Sequence, residues 1–368
     1  MQRRTFLVLL PAAAGTRPAC AATLAQRSLQ FPADFGAHPQ QRIEWWYVTG
    51  HLAEAATGSS ARASGAAPQF GFQITFFRTR TSVDATHPSR FAASQLLFGH
   101  AALTDLRRQR MRHDQRIARA GFGRAEYDVS DTRLTLQRWT LARNGVAGRS
   151  RYAAQIDAPE AGFGLKLQFD STQAVLPQGD AGWSRKGPQP NQASLYYSEP
   201  QLGVTGSLEL EAETYAVRGR AWLDHEWSDS LLDSQAVGWD WIGMNLDDGS
   251  ALTAFRLRRA DGTALYAGGS FRRPGAAIRA FAAGEVRFTP TRQWTSPHSA
   301  ARYPVRWWVE TPAGRFEISA LLDDQELDSR ASTGSIYWEG LSELLDARGQ
   351  RIGLGYLEMT GYAAALKM

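Results

Sequence analysis

The sequence predicts an all-β fold built from antiparallel sheets in two tandem units. Three observations predict it. Apolar residues recur with a period of two, turn signals cut the chain at short intervals, and the residues that open the first strand series are echoed near Trp239. Period two places alternate side chains on one dry and one wet face, which is the mark of a half-buried strand. No long amphipathic helical pattern interrupts it.

The chain opens with a segment outside this pattern. Arg3-Arg4-Thr5-Phe6-Leu7 is a twin-arginine pair leading into a short apolar run that ends at Leu10, and Ala19-Cys20-Ala21 offers a small-residue cleavage site. Residues 1–22 therefore read as a bacterial export signal of the Tat type, cleaved near residues 21–22, with a periplasmic or secreted destination. No later segment approaches the ~20 apolar residues of a membrane helix. Cys20, the sole cysteine, lies in this segment, so the mature chain forms no internal disulfide. Arg17-Pro18-Ala19 ahead of it is a poor lipobox, and no lipid anchor at Cys20 is expected.

The strands follow in order. Phe70, Phe72, Ile74 and Phe76 alternate with polar or small residues; Leu134 and Leu136, then Phe163, Leu165, Leu167 and Phe169, and then Leu208 and Leu210 repeat the pattern. Asp247-Asp248-Gly249, Asp261-Gly262 and Ala347-Arg348-Gly349 separate successive runs, and such pairs suit hairpins because glycine accepts positive φ. Many short strands joined by turns make a sandwich or a barrel. Residues 53–69, rich in Ala, Gly and Ser, read as a mobile hairpin loop, and residues 177–194 as a longer ordered loop. The pattern breaks at 228–236 and a new series starts at Gly238. The units are accordingly set at 38–229 and 236–366, and about 345 mature residues suit two cores better than one.

The echo supports two related barrels. Aligned on Leu52 and Leu246, Trp45 matches Trp239 and Tyr47 matches Trp241. One aromatic pair on one strand face opens each unit.

Charge excludes some functions. The formal charge of +5 includes Arg3, Arg4 and Arg17; without residues 1–22 the chain has 38 basic and 36 acidic side chains. A near-neutral balance gives no basis for nucleic-acid binding. The densest basic run, Arg107 to Arg116, has no interleaved aromatic residues for base stacking and reads as a solvated loop.

The residues most able to carry chemistry lie in Gly219-Arg220-Ala221-Trp222-Leu223-Asp224-His225-Glu226-Trp227. On a strand Trp222, Asp224 and Glu226 share one face, and Leu223, His225 and Trp227 the other. Two close carboxyls beside an indole raise one another's pKa, and a carboxyl protonated near neutral pH is a general acid. The same residues equally suit a polar network satisfied by backbone, with the tryptophans as core. A metal is not expected, because adjacent strand residues point to opposite sides and the other histidines lack ligand spacing. Neither a G-x-S-x-G elbow nor a phosphate loop is present. The aromatic groups Trp45-Trp46-Tyr47, Tyr196-Tyr197, Trp239/Trp241, Trp307-Trp308 and Tyr337-Trp338 read as core, or as the lining of a site for a lipophilic ligand, with Trp46, Trp239 and Trp241 the candidate lining.

Glu44-Trp45-Trp46-Tyr47, Trp183-Ser184-Arg185-Lys186-Gly187, Tyr196-Tyr197-Ser198, Ala221 to Trp227, Gly238-Trp239-Asp240-Trp241 and Gly355-Tyr356-Leu357-Glu358 resemble, in order, the signature blocks of the AttH-like family. That family includes carotenoid 1,2-hydratase (hydroxyneurosporene synthase) and secreted proteins classed as hydrolases. The resemblance, over about residues 40 to 365, implies two lipocalin-like antiparallel barrels packed together with a cavity near their junction. It implies cofactor-free addition of water to a C=C bond: Asp224 would protonate the alkene, Trp222 and Tyr197 would face the cation, and His225 or Glu226 would orient Asp224 or handle the water. The export signal and the Asp-His-Glu-Trp block resemble the general secreted branch instead. That branch implies a carrier of a hydrophobic small molecule, an isoprenoid or lipid, in partnership with an ABC transport system. The carrier is the preferred expectation, with the hydratase-like hydro-lyase as its alternative; neither needs a cofactor or a metal.

Overall fold

The computed structural model describes residues 24–55, 67–84, 86–146, 148–229 and 232–366. Residues 1–22, expected from the sequence to be an export signal, with Cys20, and residues 56–66 of the Ala/Gly/Ser-rich loop, lie outside the described residues. Beyond strands, the described residues contain only two short 3-10 turns, Ala33–Phe35 and Pro159–Ala161. The fold is all-β, as two tandem lipocalin-like barrels.

The first sheet holds thirteen strands: β1 (Ile43–Glu54), β2 (Phe70–Arg80), β3 (Gln95–Asp105), β4 (Arg110–Arg119), β5 (Ala125–Tyr127), β6 (Arg133–Leu136), β7 (Trp139–Val146), β8 (Arg149–Ala158), β9 (Phe163–Asp170), β10 (Leu176–Pro177), β11 (Trp183–Arg185), β12 (Ala193–Leu210) and β13 (Glu213–Ser228). Its spatial order is β4-β3-β2-β1-β13-β12-β9-β8-β7-β6-β5, with β10 and β11 beside β12. Every pairing is antiparallel. A bridge from Gly121 to Ala125 links the run after β4 to β5 and brings the edges together into a nearly closed barrel. Residues 177–194 are ordered: β11 and its turns fold back onto β12.

The second sheet holds ten strands: β14 (Gly238–Leu246), β15 (Ala251–Arg258), β16 (Ala264–Arg272), β17 (Arg279–Phe281), β18 (Arg287–Thr295), β19 (Arg302–Thr311), β20 (Gly314–Ala320), β21 (Glu326–Asp328), β22 (Ile336–Leu345) and β23 (Arg351–Met359). Its order is β17-β16-β15-β14-β23-β22-β20-β19-β18, with β21 on β22. The hairpin turns fall where the Asp-Gly signals stand: Gly249 and Gly262 take φ of 84° and 82°, which a side chain resists.

Each barrel is filled by its own side chains. Trp46, Trp139, Trp227, Tyr152 and Phe70 are buried in the first, and Trp307, Trp338 and Tyr303 in the second. A third apolar cluster belongs to neither. It joins Tyr47 and Trp222 of the first barrel to Trp241, Phe255, Leu341 and Tyr356 of the second. The outer faces of β1 and β13 thus pack on the outer faces of β14, β15, β22 and β23. The sequence echo has its reason here: Trp45 and Tyr47 on β1, like Trp239 and Trp241 on β14, belong to this junction. Tyr47 meets Trp241 edge to face at 5.4 Å.

Candidate functional site

Strand β13 runs between β1 and β12, so its alternation sorts its side chains between two environments. Leu223 and Trp227 enter the first barrel's core. Trp222, Asp224 and Glu226 point the other way, into the junction. Cross-strand register fixes their neighbours: Asp224 lies opposite Tyr47 and Ser198, and Glu226 opposite Trp45 and Tyr196.

The Asp224 carboxyl is 3% exposed. Its Oδ1 accepts hydrogen bonds from Trp222 Nε1 (2.7 Å) and Ser198 Oγ (2.5 Å). Burial pushes its pKa up to about 7, even though the Ser198, Trp222 and Tyr196 hydrogen bonds pull it down. Glu226 accepts from Ser194 Oγ and sits 3.0 Å from Lys186 Nζ. That ammonium also lies over the rings of Tyr196 (4.6 Å) and Phe255 (4.3 Å).

The second barrel brings two more carboxyls. Glu339 on β22 and Glu358 on β23 are cross-strand partners. Burial, then the charge of Glu358, raises Glu339 well above the carboxylate range. Burial, with the charges of Asp224 and Glu226, pushes Glu358 up to about 7 against a hydrogen bond from Trp239. Glu358, Trp239 and Trp45 stay partly exposed, so this acidic, aromatic-walled place has a rim facing solvent.

The opposite face of β13 holds a different network. His225 is fully buried, with Nε2 at 2.9 Å from Glu44 Oε1 and Nδ1 at 3.1 Å from the Tyr197 hydroxyl. Glu44 also accepts from Arg78 Nε (2.8 Å) and meets His38 Nδ1 (2.8 Å). Burial lowers the His225 pKa to about 4 despite Glu44. Burial would raise Glu44, but its hydrogen bonds to His225 and His38 outweigh it and hold the carboxyl well below its ordinary range. Trp46 stacks on His225 at 4.6 Å and His38 on Trp227 at 3.7 Å. Ligand atoms of His38, Glu44 and His225 lie within 4.8 Å of one another, as a metal would require. Both Glu44 oxygens are, however, already bonded, one of them to the Arg78 guanidinium. A fixed positive charge on the same carboxylate suits an ion-paired pin across β1, β2 and β13 better than a cation site.

The structure therefore divides the sequence-derived candidates. Trp222, Asp224, Glu226, Trp239 and Trp241 come together at the junction. His225, Tyr197 and Trp46 lie within the first barrel, and His225 cannot orient Asp224 because adjacent strand residues face opposite ways. The tyrosine beside Asp224 is Tyr196, whose hydroxyl also accepts from Trp241 Nε1 at 3.3 Å. Ser198, Lys186, Glu339 and Glu358 complete the site; Ser198, Lys186 and Glu358 stand in the family-like blocks of the sequence, but only pairing register across distant strands places them, with Glu339, beside Asp224 and Glu226.

A model of the AttH-like family matches residues 22–362. The chain belongs to the AttH-like family. An AttH from Nitrosomonas europaea is 44% identical, with a TM-score of 0.81 over 92% of this chain and 99% of that one. Two solved structures share the fold at 14% identity. Kievitone hydratase from Nectria haematococca has a TM-score of 0.65 over 92% of this chain and 94% of its own. CghA with Sch210972 has a TM-score of 0.53 over 90% of each chain. No curated protein matches the sequence significantly. Chemically, this AttH-like junction offers three carboxyls, Asp224, Glu339 and Glu358, that burial inclines to hold protons near neutral pH, a fourth, Glu226, paired to a lysine, and indole faces beside them. That set can deliver a proton to an apolar molecule and accept one back.

Proposed function

We propose that this protein is a hydratase-like lyase that adds water to a C=C bond of a lipophilic molecule at the barrel junction. The observation that carries the reading is Asp224, buried beside Trp222 with its pKa raised to about 7, in a junction where Glu358 and Trp239 are partly exposed. Protonated Asp224 gives its proton to one alkene carbon, a C–H bond forms, and the other carbon becomes a cation. The indole faces of Trp222 and Trp239 stabilise that cation. Water then forms the C–O bond, and its released proton goes to a junction carboxylate, from which Asp224 is reprotonated. One water is added and no cofactor is consumed. That a hydratase shares the fold agrees with this reading, although at 14% identity the likeness bears on the fold alone.

The test uses an acyclic carotenoid in detergent micelles with heavy-oxygen water. Wild-type protein is expected to yield a product carrying one labelled oxygen, with turnover falling as pH rises through about 7, where Asp224 loses its proton. Asp224→Asn is expected to lose at least about a hundredfold. Undiminished turnover in that variant would exclude Asp224 as the acid. The half-exposed rings at the rim, Trp45, Trp239 and Tyr266, favour a second reading: an exported carrier that passes its ligand unchanged to an ABC transport system. Recovery of the carotenoid without added oxygen, together with tight binding, selects that reading.

A further inference from the structure

The outer face of a barrel that meets water is normally polar, and most of this one is: Arg149, Arg151 and Gln155 stand exposed along β8. The outer face of β1 to β4 departs from this. Cross-strand register lines up Glu226 with Trp45, Trp45 with Phe77, Phe77 with Phe98, and Phe98 with Ile117. Residues paired this way project from the same face of the sheet, so four apolar side chains stand in one row that starts at a junction carboxylate. The row one step along the strands, Tyr47, Thr75 and His100, is 7%, 1% and 2% exposed. The second barrel covers it there, with Tyr337 and Ser332 each 2.8 Å from the His100 ring. The apolar row starts inside the junction at Trp45 and leads away from it across β2, β3 and β4. Trp45, Phe77 and Phe98 are half-buried, and Ile117 is 43% exposed. The barrel cores do not require these four residues to be apolar, since all four face away from the first core.

We infer that this row is a binding track for the chain of a linear lipophilic ligand, whose reacting end lies at Asp224 and Glu226. The inference rests on the proposed reaction for the ligand's end, and on the row alone for its chain. Its continuity with the barrel junction names the occupant: one end is closed by carboxyls and the other is open, so a chain enters from Ile117 and its terminus meets Glu226, with Asp224 two residues away on the same face of β13. From Glu226 to Ile117 the track takes four interstrand steps of ~4.8 Å, roughly 19 Å, which an extended chain of about sixteen carbons covers.

The experiment measures displacement of all-trans retinol fluorescence from the full chain by octanol, dodecanol, hexadecanol and eicosanol. Affinity is expected to climb to hexadecanol and then level off. Ile117→Glu places a charge on the open end of the track; it is expected to weaken hexadecanol about tenfold and leave octanol unchanged. Phe98→Ser, one strand further in, leaves two steps, roughly 10 Å, and is expected to bring the plateau down to octanol. Affinity that ignores chain length, or an Ile117→Glu variant that binds hexadecanol as well as wild type, overturns the track. So does a wild-type dimer that Ile117→Glu converts to monomer, because a second copy would then be the occupant. The two readings fail separately: loss of length dependence with hydration still dependent on Asp224 removes the track alone, and length-dependent binding without hydration removes the reaction alone.

Discussion

Asp224 and His225 are neighbours in sequence with opposite electrostatic fates, and both follow from burial. Desolvation disfavours the charged form of either, so the carboxyl is pushed up to about 7 and the imidazole down to about 4. Folding therefore holds a proton on Asp224 that the unfolded chain releases near 3.8. Between those values the folded state binds more protons than the unfolded one. The stability that Asp224 protonation contributes is then complete below about pH 4 and is lost as pH rises towards about 7. Asp224→Asn removes this dependence. The stability of the variant relative to wild type should rise by a few kcal/mol between about pH 4 and about pH 8, read from urea midpoints at each pH. A difference that is the same at both pH values would mean that Asp224 is ionised in the folded protein.

At the scale of elements, alternation and turn chemistry were legible and register was not. The Asp-Gly signals mark real hairpins, and the two faces of β13 could be read from period two alone. Period two cannot say which of Tyr196 and Tyr197 joins Asp224, because that depends on β12 lying with Tyr196 opposite Glu226. It could not bring Glu339 and Glu358 to the site either, since they arrive on strands more than a hundred residues downstream, through packing of one barrel on another. Apart from the family resemblance, the echo of Trp45/Tyr47 in Trp239/Trp241 was the sequence signal of that packing. Strand β14 shows what such close approach demands. A Cβ on Gly243 would lie 2.3 Å from Trp241 Cη2, 2.7 Å from Trp241 Cζ2 and 3.2 Å from Trp222 Cε2. Gly243→Ala must therefore displace the indole that donates to Asp224 or the one beside it. The expected cost is about 1–3 kcal/mol in urea unfolding, with a changed Trp fluorescence spectrum. An unchanged spectrum and midpoint would show that the junction has room to spare.

For the whole molecule, the question is whether two barrels make one cooperative unit. Their shared cluster of Tyr47, Trp222, Trp241, Phe255, Leu341 and Tyr356 would be exposed by separation, and polar groups lock it in register. At the irregularity of β12 between Glu199 and Leu202, Gln201 turns to φ 59° and reaches across. Its backbone N–H donates to Asn245 Oδ1 (2.8 Å), and its side-chain amide to the carbonyls of Leu246 (2.9 Å) and Ser250 (2.8 Å). Asn245 Nδ2 returns a bond to the Ala221 carbonyl (3.0 Å), one residue before Trp222. Asn245→Ala leaves the Gln201 N–H and the Ala221 carbonyl buried without these partners, at a cost of about 1–3 kcal/mol for each group. If the junction couples the barrels, hydrogen exchange should quicken together in β9 of the first and β19 of the second; faster exchange in one barrel alone would show that they unfold independently. The same variant bears on the acid. Asp224 keeps its proton only while the second barrel excludes water from it, so loosening the junction should bring its pKa back towards 3.8 and shift the fall of hydration activity to lower pH. Packing between the barrels, more than any residue bonded to Asp224, would then be what makes it an acid at neutral pH.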